Sequence, residues 1–161
     1  MTERSELAAR LIGLCRRRGW MLATAESCTG GLLSGALTEI AGASKVFDRG
    51  FVVYSNRSKT ELLGVEPDTI DAHGAVSEEV ARQMAEGALR GSRAALTLSV
   101  TGVAGPGASD AKPEGRVCFA VAGVGMATGT SRHDFGPLGR TRVREVSVIT
   151  ALQLGINAAE S

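Results

Sequence analysis

The chain has 161 residues, 18 Lys and Arg against 17 Asp and Glu, and a formal charge of +1, a length that fits one domain over residues 1–161 with a single core. The balanced charge excludes a general attraction to nucleic acid or an anionic membrane, so any basic site must be local. Three cysteines (Cys15, Cys28, Cys118) and two histidines (His73, His133) lack metal-ligand spacing, which argues against a structural zinc centre and predicts reduced thiols.

Leu7, Leu11 and Leu14, with Ala8, Ile12 and Cys15, recur at helical spacing between Ser5 and Arg18, and Gly19 is placed to end that helix. This amphipathic start is not a basic segment leading into a continuous apolar stretch, and no later run reaches about 18 apolar residues, so a cytoplasmic protein is expected. Trp20 to Ala25 predicts a buried strand that empties into ESCTGG, after which Leu33, Leu37 and Ile40 predict a second helix. Gly50 to Tyr54 predicts the next strand, SNRSK its exit loop, and Thr60 to Leu63 a short helix before a turn at Pro67. Val80, Met84 and Ala88 predict a helix capped by Ser77, with Glu78 and Glu79 at the positive end of its dipole.

Ala94 to Val100 predicts a strand that runs into TGVAGPG, too rich in Gly and Pro to continue regular structure. Arg116 to Val124 and Thr130 to Phe135 predict an antiparallel hairpin. A last helix follows GPLGR, its buried stripe drawn from Val143, Val146, Ile149 or Thr150, Leu152 and Ile156. Helices alternating with strands, then a hairpin, predict a three-layer α/β/α sandwich around a mixed sheet.

Four segments carry residues suited to chemistry. Ala25 to Gly31 offers Ser27, Cys28 and Thr29 at a helix start, where free amides can stabilise a phosphate or an oxyanion; the same residues also suit simple capping and close packing. The loop lacks the Gly-Lys-Ser/Thr ending of a phosphate-binding Walker loop and the G-x-G-x-x-G dinucleotide fingerprint. A Ser/His/Asp triad would need His73, which sits in a turn-like DAHGAVS context. Tyr54 to Lys59 supplies a lysine that can serve as a base if burial lowers its pKa, though an arbitrary lysine is a solvated charge. Thr101 to Gly107 allows backbone contact with a ligand, and Arg140, Arg142 and Arg144 offer guanidinium groups for phosphate or form an exposed charged face.

TAESCTGG, RGFVVYSNRSK, LLGV, HGAVSEEVA and SVTGVAGPG, in this order, together resemble the CinA C-terminal domain family over nearly the whole chain. Stand-alone members of that family include nicotinamide-nucleotide amidohydrolases. The resemblance implies a Ser/Lys amidase without metal or organic cofactor that converts nicotinamide mononucleotide and water to nicotinic acid mononucleotide and ammonia. It makes Ser27 the nucleophile and Lys59 and Tyr54 the activating groups. Substrate contacts are expected from Cys28, Thr29, Gly30, Asn56, Thr101, Gly102, Gly105 and Arg140, with the choice among Arg140, Arg142 and Arg144 open because GPLGRTRVRE departs from the family pattern. Cys28 is the rival nucleophile, and a non-catalytic nucleotide-binding or regulatory module is the rival function. A homodimer is expected, since so short a domain often completes a pocket or covers a sheet edge with a neighbour.

Overall fold

The computed structural model describes residues 1–109 and 111–161. Its helices are α1 (Glu3–Arg18), α2 (Leu32–Thr38), α3 (Asn56–Leu63), α4 (Pro67–His73), α5 (Glu78–Arg90) and α6 (Arg140–Glu160), and its strands are β1 (Leu22–Glu26), β2 (Phe47–Val52), β3 (Leu96–Gly102), β4 (Arg116–Gly123) and β5 (Gly129–Asp134). The five strands form one sheet in the order β2-β1-β3-β4-β5. β1 runs parallel to β2 and β3, while β3–β4 and β4–β5 are antiparallel, so the sheet is mixed, as the hairpin predicts.

Period-two alternation divides the core between the two faces of the sheet. Leu96, Leu98 and Val100 of β3 and Val117 and Phe119 of β4 meet α1, α2 and α6. On the other face Cys118, Ala120 and Ala122 pack against Ala81 and Ala85 of α5. The intervening β3 residues on that face are polar, and each hydroxyl is paired: Thr97 donates to the Ala85 carbonyl at 2.7 Å, Ser99 to Ala81 at 2.7 Å and Thr101 to Ala75 at 2.9 Å. Small residues let the layers approach closely. At Gly87 in α5 an added Cβ would sit 1.9 Å from the Leu63 carbonyl oxygen of α3.

Two departures from the sequence reading bear on the site. SNRSK is not an exit loop: Ser55 caps α3, its Oγ accepting from the Ser58 amide at 3.1 Å, so Lys59 lies inside a helix. Pro67 is not merely a turn residue but opens α4, where a missing N–H costs nothing. β2 also begins at Phe47 and stops before Val53 and Tyr54, and β1 excludes Trp20 and Met21 but includes Glu26. In α6 the buried positions are Val143, Ser147, Val148, Ala151, Leu152, Gly155, Ile156 and Ala159; Val146 and Ile149 are half-buried.

The connection from β1 to β2 passes through α2 on one face, and that from β2 to β3 through α5 on the other. The chain therefore leaves β1 toward β2 over one face and returns across β1 to β3 over the other, which opens a crevice beyond the carboxyl ends of the parallel strands. Ser27, Tyr54 and the Gly102–Gly107 loop all leave the sheet at that end.

Candidate active site

Glu26, the last residue of β1, is fully buried, and its side chain organises everything that follows. Oε1 accepts from Thr29 Oγ1 at 2.6 Å, the Gly31 amide at 3.2 Å and the Leu33 amide at 2.9 Å. Oε2 accepts from the Ser34 amide at 2.9 Å and Ser34 Oγ at 2.6 Å. The start of α2 is therefore occupied by a side chain of the chain itself, and its Gly31, Leu33 and Ser34 amides are already bonded. Between strand and helix, Ser27 to Gly30 form a turn closed by the Gly30 amide on the Ser27 carbonyl at 3.1 Å. Gly30 has φ +56°, a conformation that costs glycine little.

Ser27 is 8% exposed and Lys59 1%. From inside α3, Lys59 Nζ donates to Ser27 Oγ at 3.0 Å, the Val53 carbonyl at 3.0 Å and the Tyr54 carbonyl at 3.1 Å. An ammonium has three donors, and all three are used. A neutral amine in the same place keeps its two N–H bonds on the carbonyls and turns its lone pair to the Ser27 hydroxyl. Burial pulls the Lys59 pKa down to about 8, partly opposed by the nearby Cys28 sulfur, so the neutral form is populated near neutral pH. The fixed carbonyls and the lowered pKa suit Lys59 to proton transfer with Ser27.

Ser27 and Lys59 line a cavity of about 440 Å³, within the range of small-molecule sites, roughly 300–1,000 Å³. Cys28, Tyr54, Asn56, Thr101, Gly102, Gly105 and Arg140 also line it, whereas Thr29 and Gly30 do not. Thr29 is fully buried with its hydroxyl on Glu26, and the Gly30 amide is committed to the turn. Tyr54 is divided: its carbonyl contacts Lys59, while its exposed ring carries the hydroxyl out to the rim, where it accepts from Arg140 Nη2 at 2.9 Å. Arg140 Nη1 donates to the Gly105 carbonyl at 2.7 Å.

The other residues considered from sequence lie elsewhere or are inert. Arg142 pairs with Glu145 at 3.4 Å, and Arg144 donates to the Cys28 and Thr29 carbonyls at 3.1 and 3.3 Å; neither lines the cavity. Cys28 is 5% exposed, and burial pushes its thiol up to about 12, away from the thiolate a nucleophile needs. His73 ends α4, 3.4 Å from Glu79, beside a separate small cavity. Sequence reading gave no role to Glu26, although a charged residue ending an otherwise apolar strand is a usable signal. Among the described residues, no cluster of three or more His, Cys, Asp or Glu side chains could hold a metal ion, and no helix is long and apolar enough to cross a membrane.

The family model of the CinA C-terminal domain matches residues 4–158. A curated relative, the nicotinamide-nucleotide amidohydrolase PncC of Enterobacter agglomerans, is 44% identical over 152 residues, covering 94% of this chain and 92% of that protein. A CinA-like protein of Syntrophobacter fumaroxidans is 58% identical over 106 residues, 65% of this chain, and the match spans only 25% of that longer protein. The crystal structure of the competence/damage inducible protein CihA from Agrobacterium tumefaciens superposes with a TM-score of 0.95 at 46% identity, covering 100% of this chain and 98% of that one.

Proposed function

The chain belongs to the CinA C-terminal domain family, and on that premise we propose that it is a nicotinamide-nucleotide amidohydrolase acting on nicotinamide mononucleotide through a Ser27–Lys59 pair. The observation that carries this reading is the 3.0 Å contact between Lys59 Nζ and Ser27 Oγ on the wall of a nucleotide-sized cavity. The carboxamide lies against Ser27 and the phosphate toward Arg140, whose guanidinium has donors left after its bonds to Gly105 and Tyr54. Thr101 and Asn56 line the same cavity.

Neutral Lys59 takes the Ser27 proton as Oγ bonds to the carboxamide carbon, and the electron-withdrawing pyridinium favours that attack. The carbonyl oxygen becomes an oxyanion, for which the Cys28 amide is the donor adjacent to the nucleophile; one such donor is worth about 3 kcal/mol in the transition state. The C–N bond then breaks, Lys59 returns the proton to the departing nitrogen, and ammonia leaves. Water adds to the acyl-enzyme, giving a proton to Lys59, and Ser27 departs from the acid with that proton restored.

An ammonia assay on nicotinamide mononucleotide, nicotinamide riboside and nicotinamide tests the reading. Release from the mononucleotide, lowered on the order of 10⁴-fold or more by Ser27→Ala, is expected; saturable binding without ammonia would make the chain a nucleotide-binding module instead. We also propose a cytoplasmic location, which the likeness to a PncC enzyme supports, and a homodimer, supported by a sheet that ends in β2 and β5 and by exposed Leu32 and Val52 near the nucleophile turn. A sedimentation mass of one chain contradicts the dimer.

A further inference from the structure

Arg144 is the arginine beside the nucleophile turn to which the reaction above gives no part: it faces two backbone carbonyls and, among the described residues, pairs with no carboxylate. It rises from the second turn of α6, half-buried, and crosses to a turn more than a hundred residues earlier. Nε reaches the Cys28 carbonyl at 3.1 Å and Nη2 the Thr29 carbonyl at 3.3 Å. These are the carbonyls of the two central residues of the turn that Gly30 closes on Ser27.

The peptide planes of that turn are therefore held one by one. In a trans peptide the N–H points opposite to the carbonyl. The Ser27 carbonyl is held by the Gly30 amide, which directs the Cys28 N–H out of the turn on the opposite side. In the next two planes, the Cys28 carbonyl is held, among the described residues, by Arg144 alone, and the Thr29 carbonyl by Arg144 together with the Leu32 amide at 3.0 Å. No other described residue accepts from the Cys28 or Thr29 amides, so the Ser27, Cys28 and Thr29 carbonyls are tied while two amides of the turn are left without a partner. Glu26 holds the Thr29 hydroxyl and the segment after the turn, but bonds neither the carbonyls nor the amides of Cys28 and Thr29.

We propose that Arg144 is a positioning residue for the reaction: its fork fixes the nucleophile turn so that the Cys28 amide keeps its aim at the developing oxyanion. This rests on the amidase reading above. A single cation could neutralise the carbonyls but could not bind both in one plane, which is the property of a guanidinium. Gly30 gives the fork its room, since an added Cβ there would lie 3.3 Å from Nη2.

The test compares Arg144→Ala and Arg144→Lys with the unaltered chain on nicotinamide mononucleotide and nicotinamide riboside. A displaced oxyanion donor lowers kcat by about 10²-fold, leaves KM within about threefold, and reduces both substrates equally. Arg144→Lys recovers part of the rate, and millimolar methylguanidine recovers part of the loss in Arg144→Ala. A rise in KM confined to the phosphorylated substrate would make Arg144 a phosphate contact and overturn the proposal, as would an unchanged kcat. Amide hydrogen exchange supplies a readout independent of turnover: exchange at the Gly30 and Leu32 amides, which bond the Ser27 and Thr29 carbonyls, should rise at least about tenfold in Arg144→Ala while β3 is unaffected, and equal exchange overturns the clamp. If the unaltered chain releases no ammonia, the amidase reading fails, and exchange alone decides whether Arg144 holds the turn. Arg144→Lys carries the same comparison should the alanine variant not fold.

Discussion

The end of β1 and the middle of α3 each bury a charged side chain beside the Ser27–Gly30 turn, Glu26 at 0% exposure and Lys59 at 1%. Glu26 accepts five hydrogen bonds, all from groups within the next eight residues; each donor is a structural group and none opens to the cavity. Lys59 has three close partners, of which two are fixed carbonyls and the third is a hydroxyl on the cavity wall. Burial is common to both, and what separates scaffold from chemistry is the nature of the last partner. A buried charge whose partners are all backbone or capping groups fixes a conformation, whereas one that ends on a hydroxyl beside an open space can exchange a proton with it.

Substitutions at the two positions should fail in different ways. Lys59→Met removes the base and is expected to lower kcat for ammonia release on the order of 10³-fold with the circular-dichroism spectrum retained; activity within tenfold of the unaltered chain would erase the distinction. Glu26→Gln places an amide against the Ser34 donors and should cost roughly 1–3 kcal/mol of stability, read as a lower denaturant midpoint, with activity lost only as the turn loosens. Arg140→Gln sharpens the contrast at the rim. It should raise KM for nicotinamide mononucleotide about 10–100-fold while nicotinamide riboside is hydrolysed as before. The smallest effect belongs to Cys28→Ala: activity within about threefold and a stability loss of about 1 kcal/mol, since its thiol is held in the neutral form.

Much of the architecture was legible because its signals are local. Apolar periodicity located α1, α5 and α6, and two β-prone runs separated by glycines gave the β4–β5 hairpin. The beginning of α3 was misread because SNRSK is polar throughout, and a capping serine looks the same as a loop serine until its Oγ is seen on the Ser58 amide. α4 was hidden by Pro67, which marks a turn and a helix start with equal force. Ser27 and Lys59 were singled out through linked motifs, but the burial of Lys59 was not legible, since it depends on the Val53 and Tyr54 carbonyls folding over a helix that had been placed too late. The separate duties of Arg140, Arg142 and Arg144 were beyond a sequence reading altogether. They face Tyr54, Glu145 and the Cys28 turn respectively, and only packing of α6 against the rest of the molecule decides which guanidinium meets which.

The central claim is that neutral Lys59 receives the Ser27 proton, and the pH dependence of kcat/KM tests it most directly because that ratio reports the free enzyme. Desolvation places the folded pKa near 8, below the 10.5 of an ordinary lysine, and the deprotonated form is the active one. Ammonia release should therefore climb about tenfold per pH unit below that value and level off above it, a rise that Lys59→Met lacks. A profile flat from pH 6 to 9, or one whose rise persists in Lys59→Met, would contradict the account.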